Sequence, residues 1–291
     1  MQSPFKTPTF AVPLTLALTA IFAPAAQAAC LSDLEAAAMV ANYMAKAPAA
    51  NPEGLSTEDG ECSRAKFNHF LAQQIGAAVV GYKAGLTNPA VQKRFNASAP
   101  VWGKLYAPML LKDGATVDAK FGARPLFEAD MLVRISSAAV NQARTPEDVL
   151  KNIDQVIPFI ELPDLVVMAP PKLNGAGIAA INVGARLGVV GEPMAVQQTA
   201  AFSDALRDMV VVVKGDGAEL DKGKGSDVLD HPLNAVVWLV QDLAKQGVKL
   251  KKGDLISLGS FSKLMPPKAG LNVEVLYQGL PGNPVVKVSF K

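Results

Sequence analysis

The chain has 291 residues, half of them hydrophobic and 19% charged. That balance supplies enough apolar side chain for one large domain or two modest ones, and it excludes an intrinsically disordered chain. The 28 basic and 26 acidic residues leave a formal net charge of +2. Because the sequence has no cluster of Lys and Arg with interleaved aromatic residues, nucleic acid is excluded as an expected partner.

The first 28 residues predict a secretory signal peptide. Lys6 precedes an apolar run over about residues 10–26, and Ala26-Gln27-Ala28 is a small-x-small cleavage pattern. Prolines interrupt the run, and it is shorter than the ~20 residues that a spanning helix prefers. An uncleaved anchor and a lipid anchor on Cys30 are the weaker alternatives. We therefore expect a periplasmic or secreted protein with no membrane contact after cleavage.

Two cysteines, Cys30 and Cys62, lie in the expected mature chain. Both are close to its N-terminus, and an exported protein favours one disulfide between them. Two unrelated thiols are the alternative. A role as metal ligand or nucleophile is not expected, because neither has a Cys or His at ligand spacing.

Residues 29–76 predict an N-terminal helical segment. Ser32 and Glu35 form a capping box at the start of a helix over residues 31–46. After a polar loop over residues 48–60, a second helix is expected from about residue 63 to residue 76.

Residues 77–291 predict one domain of the α+β class. The expected helices cover 149–156 and 232–246, and the expected strands cover 79–83, 126–135, 157–162, a hairpin over 209–222, 254–258, 272–278 and 284–290. Because strands dominate the second half without regular βαβ alternation, a mixed β-roll is favoured over a doubly wound sheet.

Three acidic residues stand inside apolar strand patterns. Glu128 and Asp130 are two residues apart and share one face of their predicted strand, while Glu161 lies inside the apolar run 156–162. Burying such anions is costly unless a positive charge compensates. Three oxygen ligands suit a hard cation such as Mg²⁺. On spacing alone, solvated acids at a strand edge remain an open alternative.

Further motifs bear on the chemistry. Lys83 lies at a strand end in the run Gly81-Tyr82-Lys83-Ala84-Gly85-Leu86-Thr87. The run Gly223-Lys224-Gly225-Ser226 lacks the spacing of a phosphate-binding loop. His231, just before Pro232, is more typical of a helix entry than of a catalytic base.

Taken in chain order, these motifs resemble the 2-keto-4-pentenoate hydratase branch of the fumarylacetoacetate hydrolase superfamily. The resemblance runs from about residue 65 to the C-terminus, and its landmarks are the motif at 81–87, the acids at 128–130, Glu161, Gly-Lys-Gly-Ser at 223–226, His-Pro-Leu-Asn-Ala at 231–235 and Gly259-Ser260.

The resemblance implies a fold, a chemistry and a set of site residues. It implies a β-roll of the fumarylacetoacetate hydrolase type and a homo-oligomer. It implies a lyase of aromatic compound catabolism that adds water to a 2-hydroxydienoate, a small 2-oxo acid substrate. The implied residues are Glu128, Asp130 and Glu161 as ligands of Mg²⁺ or Mn²⁺, Lys83 as catalytic residue, and Lys83, Asn182, Ser226, Gly259 and Ser260 as substrate contacts.

The chain departs from the family pattern at three positions. Val101 and Ile181 stand where acids are usual, and Gly184 stands where a hydroxyl is usual. Decarboxylation, tautomerisation and C–C hydrolysis use the same metal-enolate chemistry, and the first two need no activated water. These reactions therefore remain alternatives to hydration. A further alternative, of a different class, is an exported protein that binds an oxo acid without turnover.

Overall fold

The structure is a computed structural model that describes residue 1 and residues 30–291. The predicted signal peptide, apart from Met1, lies outside the described residues. Within residues 30–291, no helix combines the length and the apolar character needed to cross a membrane.

Helices and strands alternate irregularly along the described chain, which confirms the expected α+β class. The helices are α1 (Asp33–Ala45), α2 (Thr57–Ile75), α3 (Pro89–Arg94), α4 (Pro146–Leu150), α5 (Gly175–Ala180), α6 (Ala200–Asp208) and α7 (Asn234–Lys245). The strands are β1 (Val79–Gly85), β2 (Val101–Tyr106), β3 (Leu110–Lys112), β4 (Ala115–Val117), β5 (Glu128–Ile135), β6 (Ile153–Leu162), β7 (Leu187–Val190), β8 (Met194–Ala195), β9 (Val210–Gly215), β10 (Ala218–Lys224), β11 (Leu255–Ser257), β12 (Asn272–Gln278) and β13 (Val285–Phe290).

The strands form two mixed sheets. The larger has the order β2-β1-β11-β5-β6-β7-β3, with β8 added to β6, and the smaller has the order β10-β9-β12-β13-β4. Strand β1 runs parallel to β11, whereas β5 pairs antiparallel with both β11 and β6. The distant strand β11 is therefore inserted between β1 and β5, and this insertion assembles the site described below.

The larger sheet separates two hydrophobic cores. On one face, Phe67 and Leu71 of α2 pack with Leu132 and Phe159 of the sheet. On the other face, Val133 belongs to a core shared with α7 and with the smaller sheet. The N-terminal helices therefore cover the sheet directly and do not form a core of their own.

Two sequence predictions about element bounds are wrong. Helix α2 begins at Thr57, inside the predicted loop, because Ser56 caps it in a capping box with Asp59. The expected helix over residues 149–156 is confined to α4, which ends at Leu150, and β6 begins at Ile153. The long antiparallel pairing with β5 extends β6 into that segment.

Other predictions are confirmed. Helix α1 carries the expected capping box of Ser32 and Glu35. The hairpin over residues 209–222 corresponds to β9 and β10, and the strand predicted over residues 272–278 is β12.

Candidate functional site

The register of β5 and β6 places three carboxylates on one face of the larger sheet. Glu128 lies directly opposite Glu161 in the antiparallel pair, and Asp130 lies two residues further along β5. Directly opposed residues of an antiparallel pair share a face, as do residues two apart on one strand. The three predicted ligands are therefore brought together where β5 begins and β6 ends.

Lys83 of β1 faces the same side. It pairs with Ser257 of β11, which pairs with Leu132, two residues beyond Asp130 on β5. The Lys83 and Glu161 side chains are both only 3% exposed, and their ammonium and carboxylate groups are in contact. The Lys83 Nζ also donates to the carbonyl oxygen of Val183 at 2.9 Å.

The end of β11 holds the Asp130 carboxylate in place. The Ser257 hydroxyl donates to Oδ2 at 2.6 Å, and the N–H groups of Leu258 and Gly259 donate to Oδ1 at 3.1 and 3.0 Å. Glu128, by contrast, is partly exposed and lines a cleft. The cluster therefore has a fixed acid in Asp130 and an accessible one in Glu128.

The electrostatics of the cluster favour an added positive charge. Burial, followed by the negative charge of Glu161, raises the pKa of Asp130 to about 7. The same two causes, in the same order, raise the pKa of Glu128 well above its usual value, and Lys83 offsets part of the effect. One ammonium does not balance three carboxylates, so a bound cation would stabilise their ionised forms.

The donor set fits a divalent cation in its chemistry. All three acids offer oxygen ligands, which hard divalent cations prefer. Among the described residues, no three His, Cys, Asp or Glu side chains are arranged to hold a metal ion as they stand. Glu161 is paired with Lys83 instead. A metal ion at this site would therefore require a change in the arrangement of these side chains.

A cleft of about 430 Å³ opens onto the cluster. Its polar inner end includes Lys83, Thr87, Glu128 and Gly259. Its walls are mainly apolar and include Leu86, Val91, Phe95, Leu165, Ile178 and Val183, and its rim carries Arg94, Asp221, Lys222, Asp227 and Lys263. With a divalent cation added to its charged inner end, a cleft with these apolar walls would suit a small organic anion.

Two residues of the cleft wall have left-handed backbone conformations. Leu86 and Val183 both have φ of 55°, which is uncommon for a large side chain and exceptional for a β-branched one. The Val183 carbonyl accepts the hydrogen bond from Lys83. The strained backbone therefore positions a hydrogen-bond partner of Lys83, and such strain is common at functional sites.

The structure separates the remaining predicted substrate contacts into two groups. Gly259 and Ser260 line the cleft, as does Lys83. Ser226 lies in a short 3-10 turn, Gly225–Asp227, of which Asp227 and not Ser226 reaches the cleft.

Asn182 does not face the cleft. Its Oδ1 accepts from the Lys104 N–H at 2.7 Å and from Asn68 Nδ2 at 2.9 Å, and its Nδ2 donates to the Lys104 carbonyl at 3.0 Å. The amide therefore joins β2 to α2. The geometry corrects the expected role of Asn182 in substrate binding, because both polar atoms of the amide are used within the protein.

The three positions that depart from the family pattern also lie outside the cleft lining. Val101 lies on β2 opposite Gly85, and Ile181 is buried in the core beneath the N-terminal helices. Gly184 has φ of 66° and donates its N–H to the Ile181 carbonyl. In this structure, an acid at 181 would therefore not point into the cleft without a rearrangement, whereas the side chain at 101 lies on the same face of the sheet as Lys83.

His231 has a structural role at the entry to α7. Its Nδ1 accepts from the Leu233 N–H at 3.1 Å, so the proton is on Nε2, which lies 3.1 Å from the Ser203 carbonyl. In this tautomer, Nε2 cannot act as a base toward the Ser203 hydroxyl.

Cys30 and Cys62 are joined by a disulfide in the structure, with their Cα atoms 5.7 Å apart. The bond links the residues just before α1 to α2.

Two residues near the carboxylates had no predicted role. Ser257 lies within an apolar strand and gave no signal in the sequence. Thr87 ends the motif that contains Lys83, so its position beside that lysine was the available clue. The pairing of β1 with β11 brings the two residues to the same site, and it joins segments about 170 residues apart in the chain.

Comparisons with known proteins give consistent relatives. No family model matches the chain. A 4-oxalocrotonate decarboxylase of Pseudomonas sp. (strain CF600) is 30% identical over 205 residues, which cover 70% of this chain and 76% of the relative. A 2-hydroxyhexa-2,4-dienoate hydratase of Comamonas testosteroni is 29% identical over 212 residues, which cover 72% of this chain and 78% of the relative.

A solved structure supports the same relationship. The 4-oxalocrotonate decarboxylase of Pseudomonas putida G7, complexed with magnesium and adipate, superimposes with a TM-score of 0.77 at 25% identity. The match covers 90% of this chain and 100% of that one.

These relatives also correct the expected location. They are named as a 4-oxalocrotonate decarboxylase and as 2-keto-4-pentenoate hydratases, and they contradict the prediction of a periplasmic or secreted protein. The signal peptide on which that prediction rested lies outside the described residues.

Proposed function

The chain belongs to the 2-keto-4-pentenoate hydratase branch of the fumarylacetoacetate hydrolase superfamily, and we propose that it is a divalent-metal-dependent hydro-lyase that adds water to a 2-hydroxydienoate, giving a 4-hydroxy-2-oxo acid. The observation that carries the proposal is the cluster of three carboxylates and one lysine at the inner end of the cleft.

Glu128, Asp130 and Glu161 are the proposed metal ligands. A divalent cation held there, Mg²⁺ or Mn²⁺, would act as a Lewis acid on the oxo and carboxylate oxygens of the substrate. Asp130 is the most rigid of the three because Ser257, Leu258 and Gly259 hold its oxygens. Glu128 is the one of the three that lines the cleft.

Lys83 is the proposed catalytic residue. Its ammonium group is buried beside Glu161 and is fixed by the Val183 carbonyl. A positive charge there stabilises negative charge that develops on the substrate oxygens, and the same group can exchange a proton with the enol. The apolar walls limit access of bulk water to the cleft. In the proposed reaction, the water molecule that adds at C4 does so while the substrate is bound there.

The test is an assay of the purified protein with 2-hydroxypenta-2,4-dienoate. We expect the ultraviolet absorbance of the dienol to decay with added Mg²⁺ or Mn²⁺ and to remain after EDTA treatment. K83M should abolish turnover, whereas K104M, a half-buried lysine outside the cleft, should keep it. A folded protein that leaves the substrate unconsumed with either metal would refute the proposal.

A second candidate is decarboxylation of a 2-oxo diacid by the same cluster. Arg94, Lys222 and Lys263 place cationic groups at the rim of the cleft, opposite the carboxylates at its inner end. Lys263 is 3.6 Å from Asp221 and Lys222 is 3.7 Å from Glu219, whereas Arg94 has no ion pair among the described residues. Arg94 could therefore bind a second carboxylate.

Matched substrates distinguish the two candidates. A decarboxylase should release CO₂ from a six-carbon 2-oxo enedioate faster than it consumes the monocarboxylic dienoate. R94Q should then lower kcat/KM for the diacid and leave the monoacid unaffected, and R207Q, outside the cleft, should change neither. Equal effects of R94Q on both substrates would refute a role in recognising the second carboxylate.

Two further features belong to the proposal. We propose a division into an N-terminal helical segment, residues 29–76, and a catalytic domain, residues 77–291. In its support, α2 packs on α5, and Ile178 of α5 lines the cleft. A homo-oligomer is expected from the family, and light scattering on the purified protein tests that expectation.

A further inference from the structure

The hydroxyl of Thr87 is buried and unpaired at the inner end of the cleft. Thr87 is 2% exposed, and its Oγ1 has no hydrogen-bond partner. Within the described residues, one guanidinium nitrogen of Arg64 is the other buried side-chain atom in this condition. Buried polar atoms are almost always hydrogen-bonded, so an unpaired hydroxyl in a cleft points to a missing partner.

The surrounding backbone fixes this hydroxyl. Leu86, immediately before Thr87, has φ of 55°, and the Thr87 carbonyl accepts from the Leu229 N–H at 3.1 Å. A Cβ atom at position 259 would lie only 2.0 Å from the Thr87 Oγ1. The absence of a side chain at Gly259 therefore leaves the space that the hydroxyl occupies.

Most other donors near Thr87 are already used. The Lys83 ammonium uses two of its three N–H donors on Glu161 and on the Val183 carbonyl. The Gly259 N–H donates to Asp130, and the Ser260 hydroxyl donates to the Ser262 carbonyl at 2.7 Å. The Thr87 O–H group therefore remains available to an anion that enters the cleft.

We infer that Thr87 is a substrate-binding residue whose hydroxyl donates a hydrogen bond to the carboxylate of the bound 2-oxo acid. The inference rests on the proposed function, because it takes the ligand of the cleft to be a 2-oxo acid. It adds a direct substrate contact on β1's C-terminal side, four residues beyond Lys83. Thr87 is thereby a recognition group, distinct from the carboxylates that hold the cation.

Calorimetric titration of oxalate into the full-length protein with saturating Mg²⁺ tests the inference. Loss of a hydrogen bond to a charged group weakens binding by about 10- to 100-fold. We expect that loss in T87V and in T87A, the smaller variant that avoids any crowding against Gly259. T87S, which keeps the hydroxyl, should bind within about 3-fold of wild type. T116V, at an exposed threonine on β4, is the matched control.

A second titration separates substrate binding from metal binding. With Mn²⁺ alone, T87V and T87A should bind the metal as wild type does, because Thr87 is not among the proposed ligands. Oxalate affinity in both variants within about 2-fold of wild type would overturn the inference, and so would an equal loss of affinity for Mn²⁺ and oxalate. If wild type fails to bind oxalate at all, the inference is also overturned.

The outcome for Thr87 is distinguishable from the outcome for the reaction. If wild type turns over neither dienoate nor diacid but binds oxalate in a Thr87-dependent manner, the proposed function fails while the binding role stands. If turnover is normal and oxalate binding is independent of Thr87, the proposed function stands while the binding role of Thr87 fails.

Discussion

Substitution of Gly259 by alanine should destabilise the protein through two effects that can be separated. Gly259 has φ of 99°, a conformation that costs an L-residue about 1–2 kcal/mol. The added Cβ would also lie 2.0 Å from the Thr87 Oγ1 and 3.0 Å from both its Cβ and its Cγ2. Overpacking of this kind costs about 1–3 kcal/mol. Together, G259A should lose about 2–5 kcal/mol of unfolding free energy.

Gly253 provides a matched control for the backbone effect. Its φ is 92°, close to that of Gly259, but a Cβ atom there would meet nothing within 4 Å. G253A should therefore lose only the conformational cost of about 1–2 kcal/mol. The difference between the two variants isolates the contact with Thr87.

Urea denaturation at equilibrium measures both losses, with the m-value checking that the unfolded states are comparable. The double variant T87A/G259A should regain part of the loss, because the Oγ1 and Cγ2 contacts disappear while the Cβ of residue 87 stays 3.0 Å away. Rotation of the Thr87 side chain cannot remove that last contact. A G259A variant within about 0.5 kcal/mol of G253A would refute the reasoning.

Three further outcomes follow from the structure. K83M removes the ammonium beside Glu161, and breaking a buried ion pair costs about 3–5 kcal/mol of unfolding free energy. This loss, measured by urea denaturation after EDTA treatment, should be smaller when Mg²⁺ is added. Equal losses with EDTA and with Mg²⁺ would contradict a cation site. The double variant C30S/C62S removes a disulfide that joins residues 32 apart in the chain. It should lose about 3–4 kcal/mol of unfolding free energy by the chain-entropy relation. Wild type measured with and without reductant is the reference, and unchanged stability of the variant would contradict the prediction. Burial lowers the pKa of His231. Folding stability should therefore fall as the pH drops below about 6.5, the pKa of an unfolded histidine, toward the lower pKa of the folded state. H231N should flatten this decline between pH 7 and 5, and a pH dependence identical to that of wild type would contradict the assignment.

The carboxylate cluster could be predicted from the sequence because part of its geometry is local. Glu128 and Asp130 share a face through the two-residue period of a strand, and Glu161 lies in a second strand pattern nearby. The family resemblance supplied the link between the two strands. The register then placed Glu161 directly opposite Glu128, a fact that no spacing in one sequence contains.

The failures follow from interactions between distant segments. Asn182 matched the family pattern, but its amide is saturated by Lys104 and Asn68, which lie 78 and 114 residues away in the chain. The helix expected over residues 149–156 yielded to β6 because pairing with β5 outweighs local propensity. Residue type and short-range periodicity do not encode either outcome.

Three features that violate local rules lie on the cleft lining, and their presence there supports its assignment as the functional site. Leu86 and Val183 have left-handed backbones that their side chains disfavour, and Thr87 keeps a buried hydroxyl without a partner. Each feature costs folding free energy, and each lies on the cleft lining. A sequence selected for stability alone would remove such features, for example with Gly at 86 or Val at 87. Their presence together around Lys83 is therefore better explained by the requirements of a bound ligand than by the requirements of the fold.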